Sequence, residues 1–408
     1  MQIFHNTYIW IGSAYQHFVK ELTLLLEGKN AKSTIASLDG VRAIACLLVV
    51  GYHLTLVMVQ DIHRWSPQQL SPLVASLLYF GDTGVNLFFI LSGFLLFMPY
   101  AKALLFENAW PSIRNFYIRR ALRILPAYYV SLFLMILLFR PDFLHINRLG
   151  DLCMFLILFM DSSPTAFKQI NGPFWTLAVE WQFYLLLPFL ALGIAWLVRL
   201  VSKTPPLRLL ALIVCLSLVM SWGIFTRYAG VNLTVPSTTT YQQPFPIQLF
   251  LFFCYGVPNA GLHGKFLEDF ALGMLVSSCF VYAHEVGTDS ALRRLLQRFS
   301  PLLFTAGLIL LLVMEVWKYD LLRPHTWPFF DDKLTLYRYL GEFGWGLGYA
   351  LCVTAILFGA SWLQRPFTWT PLRWIGLLSY GLYMWHLLLL QTFTRLVTVH
   401  LLSWNPFV

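Results

Sequence analysis

Apolar residues along this chain sit in runs of about twenty, the length that a rise of ~1.5 Å per residue needs to cross a ~30 Å hydrocarbon core. Runs that are long enough or nearly so fall at residues 41–59, 84–105, 124–139, 173–198, 209–226, 268–284, 301–317, 343–363 and 375–395. Two shorter apolar stretches, 69–80 and 151–160, cover only half a span and predict re-entrant or interfacial pieces able to cap a cavity. The runs are rich in Leu, Phe and Trp, and at this composition only closed helices satisfy their own backbone in lipid. The pattern therefore predicts an all-α fold, a polytopic transmembrane helix bundle of about nine to ten spans. Residues 1–36 form an N-terminal segment whose stretch 8–26 reads as a helix lying on the membrane surface, 37–402 form the membrane domain, and 403–408 a tail.

Composition agrees: 58% of residues are hydrophobic and 12% charged, about half the charged share of an ordinary soluble domain. The formal charge of +9 does not point to nucleic acid, because Lys and Arg lie in short clusters beside apolar runs and not on one basic face. Anionic lipid headgroups and a phosphorylated ligand suit that distribution better. Six cysteines (Cys46, Cys153, Cys215, Cys254, Cys279 and Cys352) stand singly in apolar surroundings, without the paired spacing of a zinc site or redox dithiol, and read as packing residues. No metal or permanently bound cofactor is expected. The first 36 residues lack the compact apolar core and small-residue site of a cleavable signal.

Counting 151–160 as a tenth span reverses everything after it, and total Lys and Arg do not choose between the topologies. Short basic loops carry the orienting signal. Placing those at 199–208, 293–298 and 365–373 in the cytoplasm, together with the N-terminus, requires nine crossings. The long polar segments around 229–265 and 318–340 then face outward, where a bulky acceptor could dock.

Ionisable residues inside a span are costly and are candidates for function. Arg42 and His53 share the first span, eleven residues and so about 16 Å apart on nearly the same face. Glu180 is the charged residue within 173–198, at a depth close to that of His53, which makes a His53/Glu180 pair feasible. Such a histidine either bonds a neighbouring helix or serves as general base, its ordinary pKa lying near working pH and a carboxylate orienting its ring. Arg119, Arg120 and Arg123 precede the third span, with Arg120 and Arg123 on one helical face. They read as positive-inside anchors or as a planar clamp for the phosphates of a nucleotide-bearing donor.

Five ordered blocks, LDGVRAIACLLVVGYH (38–53), GDTGVNLFFILSGFLL (81–96), FYIRRALRILPAYY (116–129), FWTLAVEWQFYLLLP (174–188) and LRWIGLLSYGLYMWH (372–386), resemble those of acyltransferase family 3, bacterial membrane O-acyltransferases that acetylate O-antigen, peptidoglycan and other glycans. The family's Arg, ten residues, His pattern falls on Arg42 and His53, and its Arg, two residues, Arg pattern on Arg120 and Arg123. The resemblance implies an acyl-CoA donor, with acetyl as the acyl group, whose phosphates Arg120 and Arg123, with Arg119 beside them, hold at the cytoplasmic face. It implies His53 as catalytic base and Arg42 as a cation steadying the donor or the oxyanion. Asp39, Asn86, Trp175, Tyr184, Tyr380 and His386 stand in the same blocks and could line the cavity. Ser92 offers a covalent route, although its SGF setting favours packing.

Two departures stand out. Family members commonly carry Asp where this chain has Asn86, and the chain ends at Val408 soon after the last block, so the final family helix and a fused hydrolase-like domain are expected to be missing. The implied function is transfer of an acyl group from cytoplasmic acyl-CoA, across the inner membrane, to a hydroxyl of an extracytoplasmic glycan or glycolipid. The alternatives are the same chemistry on a cytoplasmic small molecule, or a transporter. Against a transporter, the segments show no inverted repeat.

Overall fold

A computed structural model describes residues 35–60, 76, 79–201, 204–234, 243–256, 264–322, 329–330 and 333–402. Every regular element among them is helical. In chain order these are α1 (Ala36–Gln60), α2 (Gly84–Phe106), α3 (Ile113–Phe139), α4 (Leu149–Leu156), α5 (Phe174–Val201), α6 (Pro205–Thr234), α7 (Phe245–Phe250, running into a π turn Leu251–Tyr255), α8 (Leu267–Glu285), α9 (Ala291–Leu322), α10 (Leu334–Phe358), α11 (Ser361–Gln364) and α12 (Thr370–Leu402). The expected surface helix at 8–26, most of 69–80 and the tail 403–408 lie outside the described residues.

Seven of these helices, α1, α2, α3, α5, α6, α9 and α10, are long and apolar enough to cross a membrane, against an expectation of nine to ten spans. The runs expected at 268–284 and 375–395 do form long helices, α8 and α12, but with more polar sequences. In α8 the acidic pair Glu268 and Asp269 occupies the first turn. The third helix also begins earlier than its apolar run. Ser112 caps it, its hydroxyl accepting from the amide of Asn115, so the arginines 119, 120 and 123 lie within the helix and not ahead of it.

The stretch expected at 151–160 forms α4, whose eight residues reach about 12 Å, less than half the hydrocarbon thickness. Side chains of neighbouring helices satisfy its end. The Tyr128 hydroxyl donates to the carbonyl of Phe155 (2.8 Å), Tyr129 to that of Leu156 (2.7 Å), and the Gln182 amide to that of Leu158 (3.0 Å). Non-helical backbone at membrane depth is tolerated where protein groups replace water in this way. Its approach is pinned by Asp142, held between Arg140 and Arg148 at 3.0 and 2.7 Å. The hydrogen bond from Arg140, followed by that from Arg148, pulls the exposed Asp142 carboxyl down to about 2.

The bundle is built around α2, which packs against α8, α1 and α10, while α12 lies along α1. Close approach rests on reciprocal glycines. A Cβ on Gly93 of α2 would collide with the Phe270 carbonyl of α8, and one on Gly273 of α8 with the Ile90 carbonyl of α2. Small residues at such crossings let backbones touch where lipid supplies no hydrophobic force between helices. All six cysteines are free; Cys46, Cys215 and Cys352 are buried as expected of packing residues, whereas Cys153 on α4 is exposed.

The crossing yields a test. Gly93→Leu should lower thermal stability in detergent by several degrees, because overpacking costs about 1–3 kcal/mol. Gly381→Leu, where a Cβ meets nothing within 4 Å, should leave it unchanged. Equal melting curves for the two variants would contradict the proposed crossing.

Candidate active site

Five helices enclose a cavity of about 660 Å³. Its polar wall is set by helical spacing. Thr176, Glu180 and Tyr184 recur every four residues on α5, and Arg120 and Arg123 stand three apart on α3, so each set presents one stripe to the cavity. Asp39 and Arg42 come from the first turns of α1, Ser92 from α2, and Tyr380 and Tyr383 from α12. The remaining wall is apolar, with Phe88, Phe89 and Leu95 of α2 prominent.

Charge in this space is unbalanced towards positive. Three guanidiniums face two carboxylates, Asp39 and Glu180. Asp39 contacts Arg42 at 3.3 Å but is shared with Arg373 at 3.8 Å. Glu180 accepts hydrogen bonds on one oxygen from both Ser92 and Tyr184, and its charge acts on both Arg42 and Arg120. Among the described residues, the buried Nε of Arg120 has no hydrogen-bond acceptor. An unpaired N–H on a buried cation is costly, and an anionic ligand would supply what it lacks.

His53 lies outside this lining. It is half-buried, and its ring meets that of His386 on α12, with Nδ1 of His53 and Nε2 of His386 3.2 Å apart and ring centroids 4.9 Å apart. The expected pairing of His53 with Glu180 is therefore corrected: similar depth says nothing about rotation round the helix axis, and Glu180 turns towards the arginines while His53 turns towards α12. Between cavity and histidines stands Tyr383, which lines the first, bonds Thr176 hydroxyl to hydroxyl at 2.7 Å, and places its ring 5.5 Å from that of His386.

The other expected residues divide the same way. Asp39, Ser92, Tyr184 and Tyr380 line the cavity, and the Tyr380 hydroxyl also ties α12 to α3 through the Ile124 carbonyl at 2.8 Å. Arg119 and Trp175, each one residue and so about 100° from a lining residue, do not. Arg119 is exposed, and Trp175 packs on Phe266 with rings 5.8 Å apart. Asn86 belongs to a second buried polar group that the apolar pattern did not disclose. Its amide donates to Asp269 at 2.8 Å and Glu342 at 2.9 Å, beside an Arg227–Glu268 ion pair that is almost wholly buried. The available signal was charge within apolar sequence, Arg227 and Glu342 inside α6 and α10 and Glu268 and Asp269 in the first turn of α8. Thr176 and Tyr383 were also missed, being ordinary polar residues in apolar runs. Among the described residues no group of three or more His, Cys, Asp or Glu is placed to hold a metal ion.

A family model described as an acyltransferase domain matches residues 35–408. The chain belongs to acyltransferase family 3. Within curated members, it is 26% identical over 375 residues to the peptidoglycan O-acetyltransferase OatA of Listeria monocytogenes serovar 1/2a, covering 88% of this chain and 50% of that one. It is 26% identical over 382 residues to the putative peptidoglycan O-acetyltransferase YrhL of Bacillus subtilis strain 168, covering 86% and 48%. The chain thus spans about half the length of the curated relatives it matches. No solved structure matches it. As a member of acyltransferase family 3 with several apolar helices, it is a multi-pass membrane protein.

The charge imbalance predicts how the cavity responds to an anion. Glu180→Gln removes the carboxylate that competes with an incoming phosphate, so pyrophosphate should raise the melting temperature of this variant more than that of the parent. Arg120→Gln should reduce the shift in the parent. An unchanged shift in both variants would show that the anion binds elsewhere.

Proposed function

We propose that this chain transfers an acyl group, acetyl being the best fit, from cytoplasmic acyl-CoA to a hydroxyl of an extracytoplasmic glycan or glycolipid, in the inner membrane with its N-terminus in the cytoplasm. The observation that carries this reading is the convergence of Arg42, Arg120 and Arg123 on one cavity in which a buried Arg120 N–H has no acceptor among the described residues. Guanidinium groups match phosphate oxygens in pairs, and a coenzyme A nucleotide carries several. The relatives' names, both peptidoglycan O-acetyltransferases, support a glycan acceptor and the acetyl group.

Arg120 and Arg123 hold the donor's phosphates near the exposed end of the cavity, where Arg123 is itself exposed. From there the apolar wall suits a pantetheine arm, roughly 20 Å long when extended at ordinary bond geometry. Arg42 and His53 are separated by about 16 Å along α1, so the arm is long enough to bring a thioester from the arginines to the imidazole. That separation also narrows the part of Arg42, which steadies the donor and lies too far away to meet an oxyanion beside His53. Passage requires the Tyr383 ring and its bond to Thr176 to give way.

At the far end, His53 removes the proton from the acceptor hydroxyl as its oxygen bonds to the thioester carbonyl carbon. The carbon–sulfur bond then breaks, and the coenzyme A thiolate takes up the proton. Direct attack is preferred to a Ser92 acyl-enzyme. Ser92 shares the cavity with the arginines and is hydrogen-bonded to Glu180, but an acyl group placed there stands far from His53.

Two substitutions separate binding from chemistry in reconstituted membranes supplied with acetyl-CoA and a glycan acceptor. Arg120→Ala should raise the donor KM about 10- to 100-fold, the loss expected for one or two charge-assisted hydrogen bonds. His53→Gln should lower kcat about 10²- to 10⁴-fold with donor KM nearly unchanged. Full acetylation by the His53 variant would remove the base from this mechanism, and an unchanged donor KM for the Arg120 variant would remove the clamp.

A further inference from the structure

We infer that His386 is the positioning residue for His53, fixing the tautomer that leaves His53 Nε2 free to take a proton. This rests on the proposed role of His53 as base, and it assigns to a neutral imidazole the orienting task for which a carboxylate was expected.

The argument follows from what a peptide carbonyl can do, which is only accept. His386 Nδ1 lies 2.8 Å from the carbonyl of Tyr383, one turn back on its own helix, and His53 Nδ1 lies 2.9 Å from the carbonyl of Val49, one turn back on α1. Each Nδ1 therefore carries its hydrogen. A neutral His386 then has a lone pair on Nε2, and that atom sits 3.2 Å from His53 Nδ1. The His53 Nδ1–H is shared between two acceptors, Val49 O and His386 Nε2. The opposite assignment, with hydrogen on His386 Nε2, would point two N–H groups at each other.

Two consequences follow. The ring of His53 is held against rotation by one contact on its own helix and one across the α1–α12 interface, which leaves Nε2 as its basic atom. When Nε2 takes a proton, the charge spreads to Nδ1–H, where both acceptors strengthen their bonds to it. His386 is suited to this as a fixed part, being only 5% exposed and backed by the Tyr383 ring, itself anchored to Thr176. His53 is half-buried, with Tyr52 edge-on to its ring at 5.2 Å.

The test compares His386→Leu, which removes the acceptor, with His386→Gln, whose side-chain carbonyl can accept in place of Nε2. His386→Phe replaces the leucine variant should that one fail to assemble. In proteoliposomes with acetyl-CoA and a glycan acceptor, the apolar variant should lose about 10- to 100-fold in kcat, less than loss of a general base itself. Its donor KM should stay within about twofold, because nothing in the arginine-lined cavity has changed, and the Gln variant should recover most of the lost turnover. A kcat within twofold of the parent in the apolar variant, or a Gln variant as slow as the apolar one, would overturn the assignment. His53→Gln, assayed beside them, keeps the two readings apart. If it retains full turnover, the base proposal itself has failed. If it is slow while His386→Leu is not, only the positioning role has.

Discussion

Placing guanidinium groups inside a helix bundle that crosses lipid is the constraint on which this structure depends. A charge taken out of water costs several kcal/mol even after relaxation, and the partly buried Arg42 and Arg120 converge with the exposed Arg123 on one cavity. Asp39 and Glu180 offset part of that cost, and Glu180 is in turn oriented by two hydroxyl donors, Ser92 and Tyr184. The remaining positive charge is what a phosphate-bearing donor would neutralise. Helix packing elsewhere serves the same end. Glycine contacts draw α8 onto α2, and Gly376 of α12 lies against the Asp39 carbonyl of α1 so closely that no Cβ would fit. The helices that supply Arg42, Ser92 and Tyr380 are thereby held at fixed spacing around the cavity.

In the proposed mechanism the chemistry divides by depth, with donor recognition in the arginine-lined cavity and proton transfer at the histidine pair beyond Tyr383. A long flexible donor arm makes such a division workable, since binding energy from the phosphates at one end can orient the thioester at the other. Tyr383 touches both regions: it lines the cavity, meets Phe88 across it with rings 5.6 Å apart, and backs His386.

How much of this could be read from the sequence depended on the kind of information required. Apolar runs located the long helices, because span length is fixed by lipid thickness. Helical spacing placed Arg120 and Arg123 on one face, because 3.6 residues per turn leaves little freedom. The partner of His53 was not legible. Depth can be counted along a span, but the rotation of one helix against another is set by packing, in this case by α12 lying along α1. His386 stands 333 positions from His53, and nothing local to either residue links them. The same limit hid the direction of Arg119 and Trp175, each next to a lining residue and yet turned away from the cavity.

Asn86 shows what such a hidden group requires of a single side chain. The surroundings of residue 86 already hold three carboxylates, Glu268, Asp269 and Glu342, and Arg227 is engaged with Glu268. An amide nitrogen has two hydrogens to give, and Asn86 directs one to Asp269 and one to Glu342. A carboxylate in its place could offer at most one hydrogen, and only when protonated; ionised, it would add negative charge beside the buried Glu268 and Asp269. In this chain, therefore, position 86 ties α2 to α8 and α10 by donating two hydrogen bonds, which a carboxyl group could not both supply.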